Sequence, residues 1–220
     1  MYNFNTKEIE YLPMDGVLPN ENYGKWLIER EPMLFQSNAE FSFNAGGPIT
    51  KDVLDRLRAC TPSKVFNKLR IDTRSHMLMP GFFPCIPGYH CDFMQTTESG
   101  KQMMSTHDED IEHYMFLSGP PSTEFIKDRN IVWDKDIFTW KEVSNEMNSR
   151  KLETFKVPTG QLIKFNAREL HRGTPHEGPP GHWRYFFRAT SLPEWHQDYG
   201  KFTNKIRHQV QVYCDLNEGW

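Results

Sequence analysis

The sequence predicts a mainly β fold, a β-sandwich or jelly roll with a few flanking α-helices. From Val65 onward, short apolar runs alternate with turns that contain proline and glycine, a pattern typical of sandwiches and barrels. Aromatic residues make up 14% of the chain, which suits a β-rich core. No repeat, low-complexity tract or obvious linker interrupts the 220 residues, a length that such folds reach undivided. We therefore expect a single domain over residues 1–220.

Residues 1–64 are expected to form a section with helices that braces the sheet from outside. The segment "ENYGKWLIERE" is helix-like, and "LFQSNAEFSFN" has the character of an extended segment. A short helix is predicted over "TKDVLDRLRACTP", with Thr50 as its N-cap and Pro62 beyond its end.

Residues 65–191 are expected to form the jelly-roll core, and residues 192–220 a C-terminal extension. One helix interrupts the strands at "TWKEVSNEMNSR", where Thr139 and Glu142 have the spacing of a capping box. The segments predicted as strands are "RIDTRSHMLM", "YHCDFMQ", "EHYMFLSG", "TEFIKD", "GQLIKFN", "WRYFFRATS" and "IRHQVQVYCDL".

Composition and charge disfavour several classes of protein. The formal net charge is -3, and Lys and Arg are spread along the chain apart from a mild cluster at 201–207, so electrostatics do not favour a nucleic-acid partner. No apolar run approaches the roughly 18 residues of a membrane span, and "MYNFNTKEIEYLP" lacks the pattern of a signal peptide. We expect a soluble, cytoplasmic protein whose four scattered cysteines are reduced thiols.

The stretch "MPGFFPCIPGYHCDF" contains a candidate pair of metal ligands, His90 and Asp92. If the segment is a strand, alternation places both side chains on the same face. The lead-in with Pro84, Pro87 and Gly88 restricts the backbone, and a metal site needs fixed geometry. A buried ion pair or a turn-capping aspartate is the structural alternative for these two residues.

Two rival triplets of the same type occur in the chain. "HQD" covers His196 to Asp198, and "HDE" covers His107 to Glu109. The first follows the downstream segment that contains His171, and the second lies in an acidic loop that reads as solvated surface. Because His107 and Glu109 precede a strand, they are the stronger of the two rivals.

The downstream segment "VPTGQLIKFNARELHRGTPHEGPPGHWRYFFRATS" distinguishes between these pairs. It presents His171 after an apolar strand, turns at Gly173 and Pro175, and returns in a strand that carries Arg184 and Arg188. This order matches the 2-His-1-carboxylate iron site, whose third ligand comes from a later strand.

With these residues in order, the chain resembles the Fe(II)/2-oxoglutarate-dependent oxygenases over roughly Leu69 to Ser191. The resemblance implies a double-stranded β-helix core, that is, a cupin-like jelly roll. It also implies that His90, Asp92 and His171 bind Fe(II), and that 2-oxoglutarate and O2 are cosubstrates. The implied reaction oxidises a substrate, most simply by hydroxylation, and releases succinate and CO2.

In this family an arginine after the distal histidine pairs with the far carboxylate of 2-oxoglutarate, for which a planar guanidinium is suited. Arg184, Phe186 and Arg188 alternate onto one face of their strand, and Thr190 continues the row. The family commonly has a hydroxyl residue two positions after this arginine, so Arg188 is the first choice. Arg184 is the alternative anchor, or it contacts an acidic group of the substrate. In the structural alternative its long side chain only lies over apolar surface at the edge of the strand.

A second function remains open at this stage: a cupin-like jelly-roll protein that binds a metal or a sugar without oxygenase activity, as an isomerase or an interaction domain. An additional ligand from His107 or His113 would favour it, whereas an inward arginine after His171 argues against it. In the oxygenase interpretation the partner is a small molecule or an exposed side chain, and a nucleic acid is disfavoured by the charge.

Overall fold

The computed structural model describes residues 1–13, 24–107, 109–178 and 181–208. Five α-helices, a short 3-10 helix (Met104–Thr106) and fourteen strands lie in these ranges. The helices are α1 (Lys25–Ile28), α2 (Ala39–Ala45), α3 (Pro48–Cys60), α4 (Ser63–Phe66) and α5 (Trp140–Ser149). The strands are β1 (Tyr2–Phe4), β2 (Glu10–Tyr11), β3 (Met33–Phe35), β4 (Arg70–Leu78), β5 (Gln102–Met103), β6 (Glu112–Ser118), β7 (Thr123–Ile126), β8 (Ile131–Trp133), β9 (Ile137–Phe138), β10 (Thr154–Lys156), β11 (Leu162–Asn166), β12 (His171–Gly173), β13 (His182–Ser191) and β14 (Lys205–Arg207).

Two antiparallel sheets form the core. The larger has the order β2-β11-β6-β13-β4, and the smaller has the order β10-β7-β12. Residue His90 extends the smaller sheet through an isolated antiparallel bridge to His171. The core strands alternate between the two sheets, from β6 to β7 and again through β10, β11, β12 and β13, as in a double-stranded β-helix, and the predicted mainly β jelly-roll fold is confirmed.

The apolar residues divide into layers that match this architecture. Between the sheets, β6, β7 and β11 contribute a buried cluster that includes Met115, Phe125 and Phe165. On the outer face of the larger sheet, α1, α3 and α4 pack against β4, β6 and β13. Helices therefore cover one face of the larger sheet, and its other face looks toward the smaller sheet.

Most of the core strands and one helix are confirmed as predicted. Strands lie within "RIDTRSHMLM", "EHYMFLSG", "TEFIKD", "GQLIKFN" and "WRYFFRATS". Thr139 caps α5, and the predicted capping box is complete. The Glu142 amide donates to the Thr139 hydroxyl, and the Thr139 amide donates to the Glu142 carboxylate. Of "IRHQVQVYCDL", the residues up to Arg207 belong to β14, and residues 209–216 lie outside the described residues.

Three local predictions are wrong. "LFQSNAEFSFN" is extended only at its start, because the Asn38 side chain accepts a hydrogen bond from the Phe41 amide at 2.7 Å and begins α2. Thr50 lies inside α3, which begins at Pro48 after the N-cap Gly47, because proline is favoured at the first helical position. "YHCDFMQ" is not a regular strand, since Phe93 has a φ of 61° that turns the chain.

Within the described ranges, no helix is both long and apolar enough to cross a membrane. Cys60, Cys85 and Cys91 are free thiols, as predicted, and Cys214 lies outside those ranges.

Glu31 joins the helical layer to the larger sheet. Its buried carboxylate accepts hydrogen bonds from the Ile49 amide at 2.6 Å and the Thr50 hydroxyl at 2.6 Å, and that hydroxyl lies 2.8 Å from the Tyr185 hydroxyl. A Cβ on Gly47 would come within 2.5 Å of the same carboxylate, so glycine is needed there. Burial raises the pKa of Glu31, although its hydrogen bonds act in the opposite direction.

We predict that Glu31→Ala lowers the free energy of unfolding by about 2–3 kcal/mol, because it leaves the first amides of α3 buried without an acceptor. Urea unfolding monitored by circular dichroism measures this. Glu29→Ala, a change of the same type on an exposed side chain nearby, should shift the free energy by no more than about 0.5 kcal/mol. Equal effects of the two substitutions would contradict the assigned role of Glu31.

Candidate metal centre

The structure brings His90, Asp92 and His171 together. Each offers one ligand atom, and these three atoms all lie within 4.8 Å of one another. The His171 Nε2 is 3.6 Å from the Asp92 Oδ2, and the two imidazole centroids are 4.6 Å apart. In the described part of the chain, this is the one cluster of three or more His, Cys, Asp or Glu ligands with such geometry. Two imidazoles and one carboxylate form a facial set that can hold Fe(II) with positions left open.

The backbone pairing between the two histidines positions their side chains. The His90 amide donates to the His171 carbonyl, and the His171 amide to the His90 carbonyl, each at 3.0 Å. Such a pair in antiparallel strands places its side chains on the same face. Residue 173, two positions after His171, is a glycine. Cys85 packs closely against it, and a Cβ at this position would lie 2.9 Å from both the carbonyl oxygen and the Sγ of Cys85.

Backbone carbonyls orient both imidazole rings. The Nδ1 of His90 is 2.8 Å from the Gly88 carbonyl oxygen, and the Nδ1 of His171 is 2.8 Å from the Glu169 carbonyl oxygen. A carbonyl can only accept, so Nδ1 carries the proton and Nε2 is left with a free lone pair. Burial, and next the proximity of His171, lower the pKa of His90 to about 3, so its imidazole is neutral at physiological pH.

Asp92 lies against a cation. Arg188 Nη1 donates to the Asp92 Oδ2 at 2.7 Å, while Nη2 of the same guanidinium is 4.0 Å from an Asp72 oxygen. Burial by itself would raise the pKa of Asp92, but Arg188 and the neighbouring histidines hold that pKa well below its usual range. The carboxylate is therefore charged, as a ligand for a metal cation would have to be.

A cavity of about 210 Å³ adjoins the three ligands. Besides Arg188, three arginines line it: Arg70, Arg74 and Arg207. The sequence analysis did not identify these three residues as functional. The period-two pattern of "RIDTR" is the signal that could have located two of them, because it places Arg70, Asp72 and Arg74 on one face of β4.

Arg184 and Thr190 lie on the same strand face as Arg188 but have different surroundings. Arg184 is 1% exposed, its Nε donates to the Pro121 carbonyl at 2.8 Å, and its Nη2 has no hydrogen-bond partner among the described residues. Burial lowers its pKa to about 10. The Thr190 hydroxyl is fully buried, 3.1 Å from the Nδ1 of His113.

The rival residues make other contacts. The His107 Nε2 lies 3.0 Å from the backbone oxygen of Asp92, and Glu109 pairs with Arg168. The His196 Nδ1 accepts from the amide of Asp198 at 3.1 Å. None of these four residues joins the ligand cluster, and neither does His113.

We predict that His90→Ala and Asp92→Ala each abolish binding of Fe(II), or of Mn(II) as a substitute, because two remaining ligands cannot hold the ion. Metal content after anaerobic loading and desalting measures this, with one ion expected for each wild-type chain. His196→Ala is the control and should keep wild-type content. Wild-type metal content in both ligand variants would show that the site is wrong.

Comparisons with known proteins give structural likenesses only. No family model and no curated protein matches the chain. Among solved structures, AviO1 from Streptomyces viridochromogenes Tue57 is 12% identical, with a TM-score of 0.47 over 87% of this chain and 91% of that one. HygX from Streptomyces hygroscopicus is 14% identical in its structure with nickel, 2-oxoglutarate and hygromycin B bound, with a TM-score of 0.49 over 86% of this chain and 84% of that one. The structure of HygX with iron bound is 13% identical to this chain, with a TM-score of 0.48 over 86% of this chain and 84% of that one.

Proposed function

We propose that this protein is a non-haem Fe(II)- and 2-oxoglutarate-dependent oxygenase. It would oxidise a small molecule or an exposed side chain and release succinate and CO2. The observation that carries the proposal is the convergence of His90, Asp92 and His171 beside an arginine-lined cavity. A 2-His-1-carboxylate site leaves positions free for the keto acid and O2, and the bound iron would supply the oxidising chemistry.

The chain's own contribution would be to hold the ligands in the correct charge state. His90 stays neutral because it is buried, and Asp92 stays ionised because Arg188 donates to it. Aromatic side chains around His171, including Phe125 and Phe165, restrict water on that side. These features match what catalysis at an open iron site requires of the protein.

Arg188 lies too near the ligand set to be the best anchor for the far end of 2-oxoglutarate. Its guanidinium already contacts Asp92 through the oxygen that faces His171. A keto acid bound at the metal by its C1 carboxylate and C2 oxygen extends its C5 carboxylate away from the ion. The guanidinium of Arg188 is therefore better placed to orient Asp92 than to meet that carboxylate.

We assign this role to Arg184, which does not itself line the metal cavity but interacts electrostatically with Cys85, a residue that does. It lies four residues before Arg188 on β13, about 13 Å along the strand, on the same face. Its Nη2 lacks a partner among the described residues, as do both ring nitrogens of His76, which is opposite Arg184 in the β4 register. A buried guanidinium without a carboxylate is costly. The C5 carboxylate of 2-oxoglutarate would satisfy it.

The cupin-like alternative gains no support from the site. A further ligand from His107 or His113 would have favoured it, and in the described residues those side chains contact the Asp92 carbonyl and Thr190 instead.

We predict that Arg184→Met raises the dissociation constant for 2-oxoglutarate at least ~100-fold, because the loss of one partner of a buried charge pair costs about 3–5 kcal/mol. Anaerobic titration of the Fe(II) protein, followed by the metal-to-ligand charge-transfer band, measures the constant. Iron content should be unchanged. Without 2-oxoglutarate, this variant should unfold at no lower temperature than the wild type, because it removes a buried charge that lacks a carboxylate.

Arg188→Met is the matched comparison and should weaken 2-oxoglutarate binding less than Arg184→Met does. If Arg188→Met gives the larger loss, Arg188 is the anchor. If neither substitution changes the titration, 2-oxoglutarate is not bound in the proposed way.

We also predict slow succinate formation from 2-oxoglutarate in the presence of Fe(II) and O2, even without substrate. Chromatographic measurement of succinate tests this. His171→Ala should abolish the formation of succinate, since it removes an iron ligand. A wild-type protein that binds iron but yields no succinate and no charge-transfer band would favour the non-oxygenase alternative.

A further inference from the structure

The wall of the metal cavity carries more positive than negative charge. Four arginines and two aspartates line it, so the positive charges exceed the negative ones by two. In the proposed function, the two positive charges of Fe(II) would be matched by the two negative charges of 2-oxoglutarate. The surplus on the protein would then remain, and a confined positive site attracts anions.

Two of the four arginines are already paired. Arg188 donates to Asp92 at 2.7 Å, and Arg70 lies 3.8 Å from a carboxylate oxygen of Asp198. Arg70 also lies over the Phe93 ring, with 4.7 Å from its Cζ to the ring centroid. These two guanidiniums are therefore occupied within the fold.

Arg74 and Arg207 differ from the other two. Both are partly exposed, and neither has a carboxylate at salt-bridge distance among the described residues. The nearby Asp72 accepts from the Gln36 amide at 3.1 Å and lies beside Arg188. Arg74 and Arg207 thus carry more positive charge than their nearest counterion offsets, because Asp72, whose charge acts on Arg207, is shared with Arg188.

The fold brings this pair to one side of the cavity. Arg74 is opposite Phe186 in the register of β4 and β13, on the same face as Asp72. Arg207 belongs to β14, which pairs with β3, and β3 is tied to β4 where the Leu34 amide donates to the Thr73 hydroxyl at 2.8 Å. The Arg207 Cζ lies 3.3 Å from the centroid of Phe35, and this stacking restricts the guanidinium before a ligand binds.

We propose that Arg74 and Arg207 bind an anionic group of the substrate, a phosphate or a carboxylate. Planar guanidiniums bind both oxyanions through paired hydrogen bonds. In calling this ligand the substrate, the inference rests on the proposed function. The anion site itself follows from the charges and positions of the two arginines.

The test uses the full chain and inorganic phosphate as the probe, titrated by isothermal calorimetry without added metal at constant ionic strength. Phosphate should bind the wild type, and its dissociation constant should rise at least tenfold in Arg74→Gln and in Arg207→Gln. Arg30→Gln, which removes an exposed arginine that stacks on Trp26, is the charge-matched control and should leave the constant unchanged. Acetate, titrated in the same way, distinguishes a carboxylate site from a phosphate site.

The same variants are also titrated with 2-oxoglutarate by the charge-transfer band, and the two glutamine substitutions should leave that titration unchanged. The inference is overturned if neither ion binds the wild type, if Arg30→Gln weakens binding as much as the other two, or if Arg74→Gln or Arg207→Gln lowers the affinity for 2-oxoglutarate. If the band is absent from the wild type but the arginine-dependent binding of the anion is present, the proposed function fails and the anion site stands.

Discussion

The candidate site depends on one backbone interaction, the reciprocal pair of hydrogen bonds between His90 and His171. This pair joins the loop before Asp92 to the smaller sheet and places two imidazoles on one face. The carbonyls of Gly88 and Glu169, each two residues before a histidine, then fix the two rings by accepting from Nδ1. A metal site needs ligands held by their surroundings before the ion arrives, and here the backbone provides that restraint.

A second level of organisation comes from the inward face of the larger sheet. Antiparallel pairing of β4 and β13 puts Asp72 opposite Arg188, and Arg188 in turn contacts Asp92. The charges therefore alternate across the cavity rather than forming separate positive and negative regions. The cations that this arrangement leaves unneutralised among the described residues are Arg184 deep in the fold and the pair Arg74 and Arg207 nearer the surface. We propose the first as the anchor of the cosubstrate and the second as the binding site for the substrate.

Much of this could be predicted from the sequence because it depends on local patterns. The strand periodicity of "EHYMFLSG" and "WRYFFRATS", and the capping box at Thr139, are properties of short segments. The choice of His90, Asp92 and His171 depended on their order along the chain, and the structure brings these three residues together. What local patterns do not encode is pairing. The contact between Arg188 and Asp92 joins residues 96 positions apart, and Arg207 reaches the cavity only because β14 pairs with β3. Asn38 likewise acts through a hydrogen bond that overrides the apparent strand signal, and Pro48 starts α3 before the apparent cap at Thr50.

The central claim, that two histidines and one aspartate hold a catalytic metal beside the arginine-lined cavity, is tested most directly by X-ray absorption spectroscopy of the anaerobic Fe(II) protein. The account predicts a first shell made only of nitrogen and oxygen, with outer-shell scattering from two imidazoles, and loss of one imidazole contribution in any residual iron of His171→Ala. A sulfur scatterer, which the nearby Cys85 thiol could supply, or a count of three or more imidazoles would contradict it.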